Sequence, residues 1–357
     1  MKAFLVLILM AAPLFASEEE PYYLYHAQDY GSESLIHPTQ MLLNGCFDIM
    51  LSSNRSNRFA DIDFQLSYDM LIMSLKHPIA AIEETEGWGN FIRKEILPFS
   101  TGLEDARFWP NYMLHVVGGG YSSRLMYEWY RYHEFKHPRA WSLGTYFLYV
   151  FVNEVVEAQV YDGYTSDPIS DLYFFDPLGA FIFSSDRVAS FFGETLNMRD
   201  WSYQPSLNFR QGSLQNNGQN FSMKWKPSFW EKTSFFYYFG HHGEGGLSWE
   251  LPNGDYFSCG AGFRADEILE LLNGTYGLTM AFSAGVFYDR NGSLLASLMA
   301  SNTKNYTVQF NLYPGVLKLG PISPGLFFAV DRLDGHIETG IHLHWPKWQP
   351  AGISFGF

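Results

Sequence analysis

The sequence predicts an α+β protein in two parts, an N-terminal helical domain followed by an antiparallel transmembrane β-barrel of about 10–12 strands. Three observations carry this expectation. Apolar residues recur at every second position through roughly the last 150 residues, the period of a strand that shows one face to lipid and the other to a polar lumen. Asn-Gly and Asp-Gly turns punctuate those runs. Aromatic residues make up 18% of the chain and cluster near the ends of the runs, where an interfacial girdle would lie, while only 17% of residues are charged.

In chain order, Met1-Lys2, the apolar run 3–15 and Ala16-Ser17-Glu18 read as a secretory signal peptide cleaved near Ala16. That run is too short to span a bilayer, and no later stretch offers the roughly 20 uninterrupted apolar residues of a spanning helix. Residues 17–200 then form the helical domain, on the periplasmic side or inserted as a plug, with its boundary near 193–201. The spacing predicts a helix over 111–132, broken or closely packed at Gly118-Gly119-Gly120, because glycine runs weaken a helix or admit another backbone. A second helix, over 141–158 from Ser142, is apolar round most of its circumference (Leu143, Tyr146, Phe147, Val150, Phe151, Val155) and is expected to be buried. A third segment, 169–188, has Asp167 or Ser170 as its cap and Asp171 in its first turn.

The second helix ends in Glu154 and Glu157, three apart on one face. A carboxylate at the end of a greasy helix needs a partner, since burying an unpaired charge is costly. His115 and Arg124 on the preceding helix, or amides in the loop 162–172, are the candidates. The first reading is a hydrogen-bonded polar knot that fixes helix packing. If there is chemistry here, His115, Glu154, Glu157 and Asp171 are the catalytic candidates, as a general acid and base. No His-x-x-x-His or Glu-x-x-His spacing joins them, so no metal is assigned and no cofactor is named.

Asn111-Tyr112-Met113-Leu114-His115, the glycine run, Asn153-Glu154-Val155-Val156-Glu157 and Asp167-Pro168-Ile169-Ser170-Asp171-Leu172 with Pro177-Leu178-Gly179 resemble an uncharacterised bacterial envelope domain family. Its signature is an Asn-Pro-x-x-His motif, a Glu-bearing helix and a Pro-Ser-x-x-Asp-Leu loop followed by a Gly-containing helix. The resemblance covers residues 108–192 and departs at Tyr112, where the family has proline, and at Ile169, where it often has serine. It implies that His115, Glu154, Glu157 and Asp171 are signature polar positions, without bringing an established activity.

Residues 201–357 are the barrel. In 276–288, Leu278, Met280, Phe282, Ala284 and Val286 alternate with Gly277, Thr279, Ala281, Ser283 and Gly285. Tyr306, Val308, Phe310 and Leu312 alternate with Thr307, Gln309 and Asn311. Ile337, Ile341, Leu343 and Trp345 alternate with His336, Glu338, Gly340, His342 and His344, Thr339 being the one polar residue on the apolar side. Asn216-Asn217-Gly218, Pro252-Asn253-Gly254-Asp255, Asn291-Gly292 and Leu333-Asp334-Gly335 supply the hairpin turns. Trp201, Trp225, Trp230, Tyr237, Tyr238, Trp249, Trp345 and Trp348 form the expected girdle. The final run, ending in Phe357, is expected to close the barrel and to be recognised by the barrel-assembly machinery.

Two polar sets fall in this part. His336, Glu338, His342 and His344 share the lumenal face and are the expected binding residues, or they hydrogen-bond across a packed interior. His241 and Ser248 could serve a lipid hydrolase, but without a Gly-x-Ser-x-Gly elbow a polar hairpin tip is the preferred reading. Cys46 and Cys259 make no disulfide framework. The formal charge of −14 argues against nucleic acid as partner. The expected protein is an integral protein of the bacterial outer membrane, in contact with its lipid, envelope-structural or binding a lipid or small solute. The alternatives are a membrane-embedded hydrolase acting on envelope lipid and a secreted soluble two-domain protein.

Overall fold

A computed structural model describes residues 21–51, 56–98, 108–158, 163–270, 276–303, 305–320, 322–332, 335–344 and 352–356. The segment 1–16 read from sequence as a signal peptide, Leu333-Asp334, Trp345, Trp348 and Phe357 lie outside them. The principal helices are α1 (Pro38–Phe47), α2 (Phe64–Lys76), α3 (Pro78–Thr85), α4 (Gly120–Tyr132), α5 (Pro138–Glu157), α6 (Asp167–Ser170), α7 (Asp176–Phe183) and α8 (Asp186–Ser190). Wide π-helical turns occupy Phe91–Ile96, Trp109–Gly119 and Asp171–Phe175. The chain forms two compact units: residues up to Tyr25 with Phe64–Phe191, and His26–Asp63 with Phe192–Phe357. The α+β class expected from the sequence is therefore observed. The segment 26–63, read from sequence as part of the helical domain, belongs to the sheet unit.

In the helical unit α4 packs on α5 and α7, burying Tyr121, Leu125, Tyr146, Val150, Phe175 and Phe183. Tyr121 and Leu125 stand four apart, the spacing that puts two side chains on one helical stripe. The buried Glu128 carboxylate accepts the backbone N–H groups of Tyr23, Leu24 and Tyr25 (3.1, 2.8 and 2.9 Å) and the Arg124 Nε–H (2.8 Å). Arg124 also reaches Asp186 at 2.8 Å, so it is committed here and is not the partner of Glu154. Helix α5 is buried along one side only: Trp141 and Leu148 are 54% and 51% exposed, contrary to the all-round burial expected. The single segment expected over 169–188 is broken into α6, a π turn, α7 and α8. Pro168 and Pro177 each stand in the first turn of a new helix, where a missing N–H costs nothing. Ser170 does not cap, since its hydroxyl donates to the Asp167 carbonyl at 2.7 Å.

The sheet unit contains β1 (Arg199–Asp200), β2 (Ser206–Asn208), β3 (Ser213–Gln215), β4 (Phe221–Trp225), β5 (Thr233–Phe239), β6 (His242–Glu250), β7 (Tyr256–Glu270), β8 (Tyr276–Arg290), β9 (Ser293–Ser301), β10 (Val308–Leu312), β11 (Ser323–Val330), β12 (Ile337–His344) and β13 (Gly352–Gly356). Ten of them, β4 to β13, pair consecutively and antiparallel, and this sheet curls into a half-barrel. Positive φ at Asn291 (50°) and Gly292 (83°) makes the tight β8–β9 turn, and Gly254 (83°) serves the β6–β7 turn. Asn216-Asn217-Gly218 is different. It joins β3 to β4, which are not neighbours, because β2 pairs parallel with β13 and β3 adds beyond it.

The alternation read from sequence is realised with its apolar side outward. One register row runs through Trp225, Phe235, Leu247, Cys259, Val286, Leu298, Phe310, Phe328, Thr339 and Phe355, crossing all ten strands. Seven of these are exposed: Trp225, Phe235, Val286, Leu298, Phe310, Phe328 and Phe355. The next row over, Ser234, Ser248, Ser258, Phe287, Ser297, Asn311 and Phe327, is buried on the concave side. The girdle assignment needs correction at Trp201 and Tyr238. Both are buried and pack with Phe236 and Phe287 inside the unit, and the Trp201 indole N–H donates to the Gly292 carbonyl at 2.8 Å. Tyr306 also leaves the outward set. Its backbone turns (φ 50°) and its hydroxyl donates to Gln215 at 2.6 Å.

The concave side is filled by the chain itself. From α1, Gln40 donates to His342 Nε2 (2.9 Å) and Asn44 to the Tyr203 carbonyl (3.1 Å). From the segment around β2 and β3, Asn208 donates to Glu338 (2.9 Å) and Asn216 to Asn311 (2.8 Å). Cys46 and Cys259 are both free. No helix among the described residues is long and apolar enough to cross a membrane.

Candidate functional site

The polar residues expected to converge in the helical unit do so around His115, and the glycines explain how. A Cβ on Gly179 would lie 2.8 Å from the carbonyl oxygens of His115 and Val116, and one on Gly120 would lie 2.6 Å from the Gly179 carbonyl. The glycine run is thus a close-packing surface that lets the Trp109–Gly119 turn sit directly on α7. A Cβ on Gly119 would lie 2.5 Å from the Tyr146 hydroxyl, so that position keeps space for the tyrosine. The start of the motif is structural: Asn111 donates to the Glu95 carbonyl (3.0 Å), and the Tyr112 hydroxyl to the Ile96 carbonyl (2.6 Å). Gly179→Ala should therefore destabilise the helical unit by about 1–3 kcal/mol, because backbone atoms cannot yield as a side-chain tip can. Thermal unfolding of the variant measures this; an unchanged midpoint would refute the close-packing account.

His115 uses both ring nitrogens. Nδ1 lies 3.0 Å from Asp176 Oδ1, an oxygen that also accepts the Tyr146 hydroxyl at 2.9 Å. Nε2 faces Asp171 Oδ2 at 3.6 Å. Ligand atoms of His115, Glu154 and Asp171 all lie within 4.8 Å of one another. The imidazole is 19% exposed, whereas Asp171, Asp176 and Glu154 are buried. Burial alone would lower the His115 pKa, but the Asp171 and Asp176 carboxylates outweigh it and hold the ring well above its ordinary value. Burial first, then the charges of Asp171, Glu157 and Asp167, push the Glu154 carboxyl well up. Burial likewise raises Asp171, against the pull of His115. Tyr146 is raised by burial and by Asp176.

Of the residues singled out in the sequence, His115, Glu154 and Asp171 meet, and the like charge of Glu157 acts on Glu154 and Asp171. Asp176 and Tyr146 were missed. Tyr146 stands eight residues before Glu154, two turns up the same helix, and was counted only as part of an apolar face. Asp176 stands in the first turn of α7, where the sequence alone marks it as nothing more than a helix-start acid.

Among the described residues, the second set is engaged with the protein's own side chains. Glu338 and His342 are buried on the concave side and engaged by Asn208 and Gln40, and His336 lies 3.4 Å from Glu338. The side chain of His344 is outside the described residues. His241 and Ser248 are not brought together: His241 faces Asp48 at 3.5 Å, and the Ser248 hydroxyl accepts from Ser258 at 2.8 Å. The serine that meets a histidine is Ser283, 3.1 Å from His242 Nδ1. Its hydroxyl donates to Glu244 at 2.6 Å, and Tyr203 occupies His242 Nε2 at 3.1 Å, so the trio is a sealed network without room for a substrate. A cavity of about 480 Å³ lies elsewhere in the sheet unit, lined by Tyr30, Tyr288, Arg290 and Lys318 among others, and by none of the predicted site residues. No protein-family model, no curated protein and no solved structure matches the chain.

Proposed function

We propose that the protein is an integral β-barrel protein of the bacterial outer membrane. Its barrel interior is filled by its own chain, so that its role is to anchor a helical domain in the envelope and not to conduct solutes. The observation that carries this reading is the register row that crosses ten strands with seven exposed apolar side chains, set beside a buried row of mostly serine and asparagine with Phe287 and Phe327. A soluble sandwich has the reverse arrangement, with its apolar rows turned inward and its polar rows in water. Leaving that many large apolar side chains in water would forgo about 1.5–3 kcal/mol each, whereas facing lipid they are at home. At one end of the sheet Trp225 and Trp230 pack on Phe235, and Trp249 stacks on Phe257, aromatic residues of the kind an interfacial belt would use.

The filled concave face argues against an open pore. Helix α1 and the segment carrying β2 and β3 occupy it and hydrogen-bond to its side chains. The test is fractionation with gel migration in detergent. Recovery in the outer-membrane fraction, with a band that shifts on boiling, is the expected result. Recovery as a soluble periplasmic species with no heat shift would overturn the proposal.

A further inference from the structure

We propose that His115, Glu154 and Asp171 form a binding site for one divalent first-row transition-metal ion of the zinc and manganese class, with Asp176 and Tyr146 orienting the histidine and a coordination position left for water or substrate. Glu154 is 3% exposed and, among the described residues, its carboxylate makes no hydrogen bond or ion pair, yet that carboxylate points into the cluster. A purely structural knot would use it differently. A buried carboxylic acid gives its proton to an acceptor at hydrogen-bond distance, and a buried carboxylate takes donors. Glu154 does neither, and a cation between it, Asp171 and His115 would satisfy it.

The histidine is arranged as a ligand. A carboxylate only accepts, so the 3.0 Å contact with Asp176 keeps a ring hydrogen on Nδ1, and Nε2, which faces Asp171 and Glu154, is the nitrogen that would bind the ion as the ring gives up its other proton to solvent. A second carboxylate behind the ring is the usual support of a metal-bound imidazole. Metal–ligand bonds of about 2.0–2.2 Å give a tetrahedral edge of about 3.4 Å, close to the 3.6 Å between His115 Nε2 and Asp171 Oδ2. One nitrogen and two carboxylate oxygens suit zinc or manganese, and neither cysteine belongs to the helical unit, so thiolate-seeking ions are disfavoured. Two protein carboxylates would balance the charge of a dication. Three protein ligands with a free position is the pattern of a reactive metal site, not of a closed structural one.

The experiment uses the full chain purified in detergent, stripped with chelator and dialysed against Zn²⁺ or Mn²⁺. Bound metal is counted by mass spectrometry, with the heat-shifted gel band as an independent check of folding. Wild type should take up about one ion per chain. Glu154→Gln and Asp171→Asn should bind at least tenfold more weakly, and Asp176→Asn about 10–100-fold more weakly as an orienting residue. Equal uptake by wild type and Glu154→Gln would overturn the proposal, since the ion would then sit elsewhere. Should the variants lose the heat shift, X-ray absorption of the zinc-loaded wild type decides. One imidazole with carboxylate oxygens supports the site, and several imidazoles or none refute it. The site is independent of where the sheet resides, so either proposal can fail alone.

Discussion

Phe282→Arg is expected to destabilise the folded protein by about 2–4 kcal/mol, although the side chain it replaces is already 59% exposed. For a protein surrounded by water this expectation would be perverse. An exposed residue away from caps and turns changes stability by about 0.5 kcal/mol or less, and exchanging phenylalanine for arginine removes apolar surface from water. Phe282 sits near the middle of β8, opposite the outward Phe263 of β7, which is 55% exposed. If that surface meets hydrocarbon, the guanidinium must be desolvated or must drag water and headgroups inward. The loss is read from denaturant titration of folding into lipid vesicles. A shift below about 0.5 kcal/mol would favour the soluble two-domain alternative. Ser283→Ala, one residue along and facing the other way, should cost about 1–3 kcal/mol for a different reason, because it removes the buried hydroxyl that bonds both Glu244 and His242.

That two adjacent residues have opposite fates follows from the two-residue period, and this is why so much of the sheet was legible in the sequence. Every side chain on a strand is assigned to a face by counting, and a slip of one residue would turn the whole set over. Thr339 shows how firm the count is: polar yet on the outward side in the sequence, it stands in the outward row between Phe328 and Phe355. What counting could not supply is long-range. Trp201 and Tyr238 carry the composition of a girdle, and only their packing on Phe236 and Phe287 turns them inward. The placement of α1 against His342 joins residues 302 positions apart, with no local signal beyond an ordinary amphipathic helix. The helical site was half visible for a related reason. His115, Glu154 and Asp171 stand out because acids and a histidine are rare in greasy helices. Asp176 stands at the start of a helix, where an acid has an ordinary explanation in the helix dipole. Its role depends on Gly179 bringing α7 onto the His115 turn, a contact made by an absent side chain.

Lys224→Met should cost about 3–5 kcal/mol, the loss expected when a buried ion pair is broken from one side. Lys224, on β4, turns to the concave side and pairs with Asp289 on β8, both side chains being almost wholly buried. In the sheet these strands are separated by β5, β6 and β7, so the pair spans the inside of the curl and is not a contact between neighbours. The ammonium also faces the rings of Trp201 and Tyr256, at 5.0 and 4.7 Å. Methionine keeps most of the volume and the ring contacts but leaves the Asp289 carboxylate buried without its cation. If that stranded charge is the cause, Lys224→Met combined with Asp289→Leu should recover most of the loss, because an apolar pair of similar size often substitutes for a buried ion pair at little cost. Denaturant midpoints of the two singles and the double measure it. A double variant no better than Lys224→Met would mean that the lysine matters for its packing against Trp201 and Tyr256, and that the charge pair is incidental to holding β4 across the curl from β8.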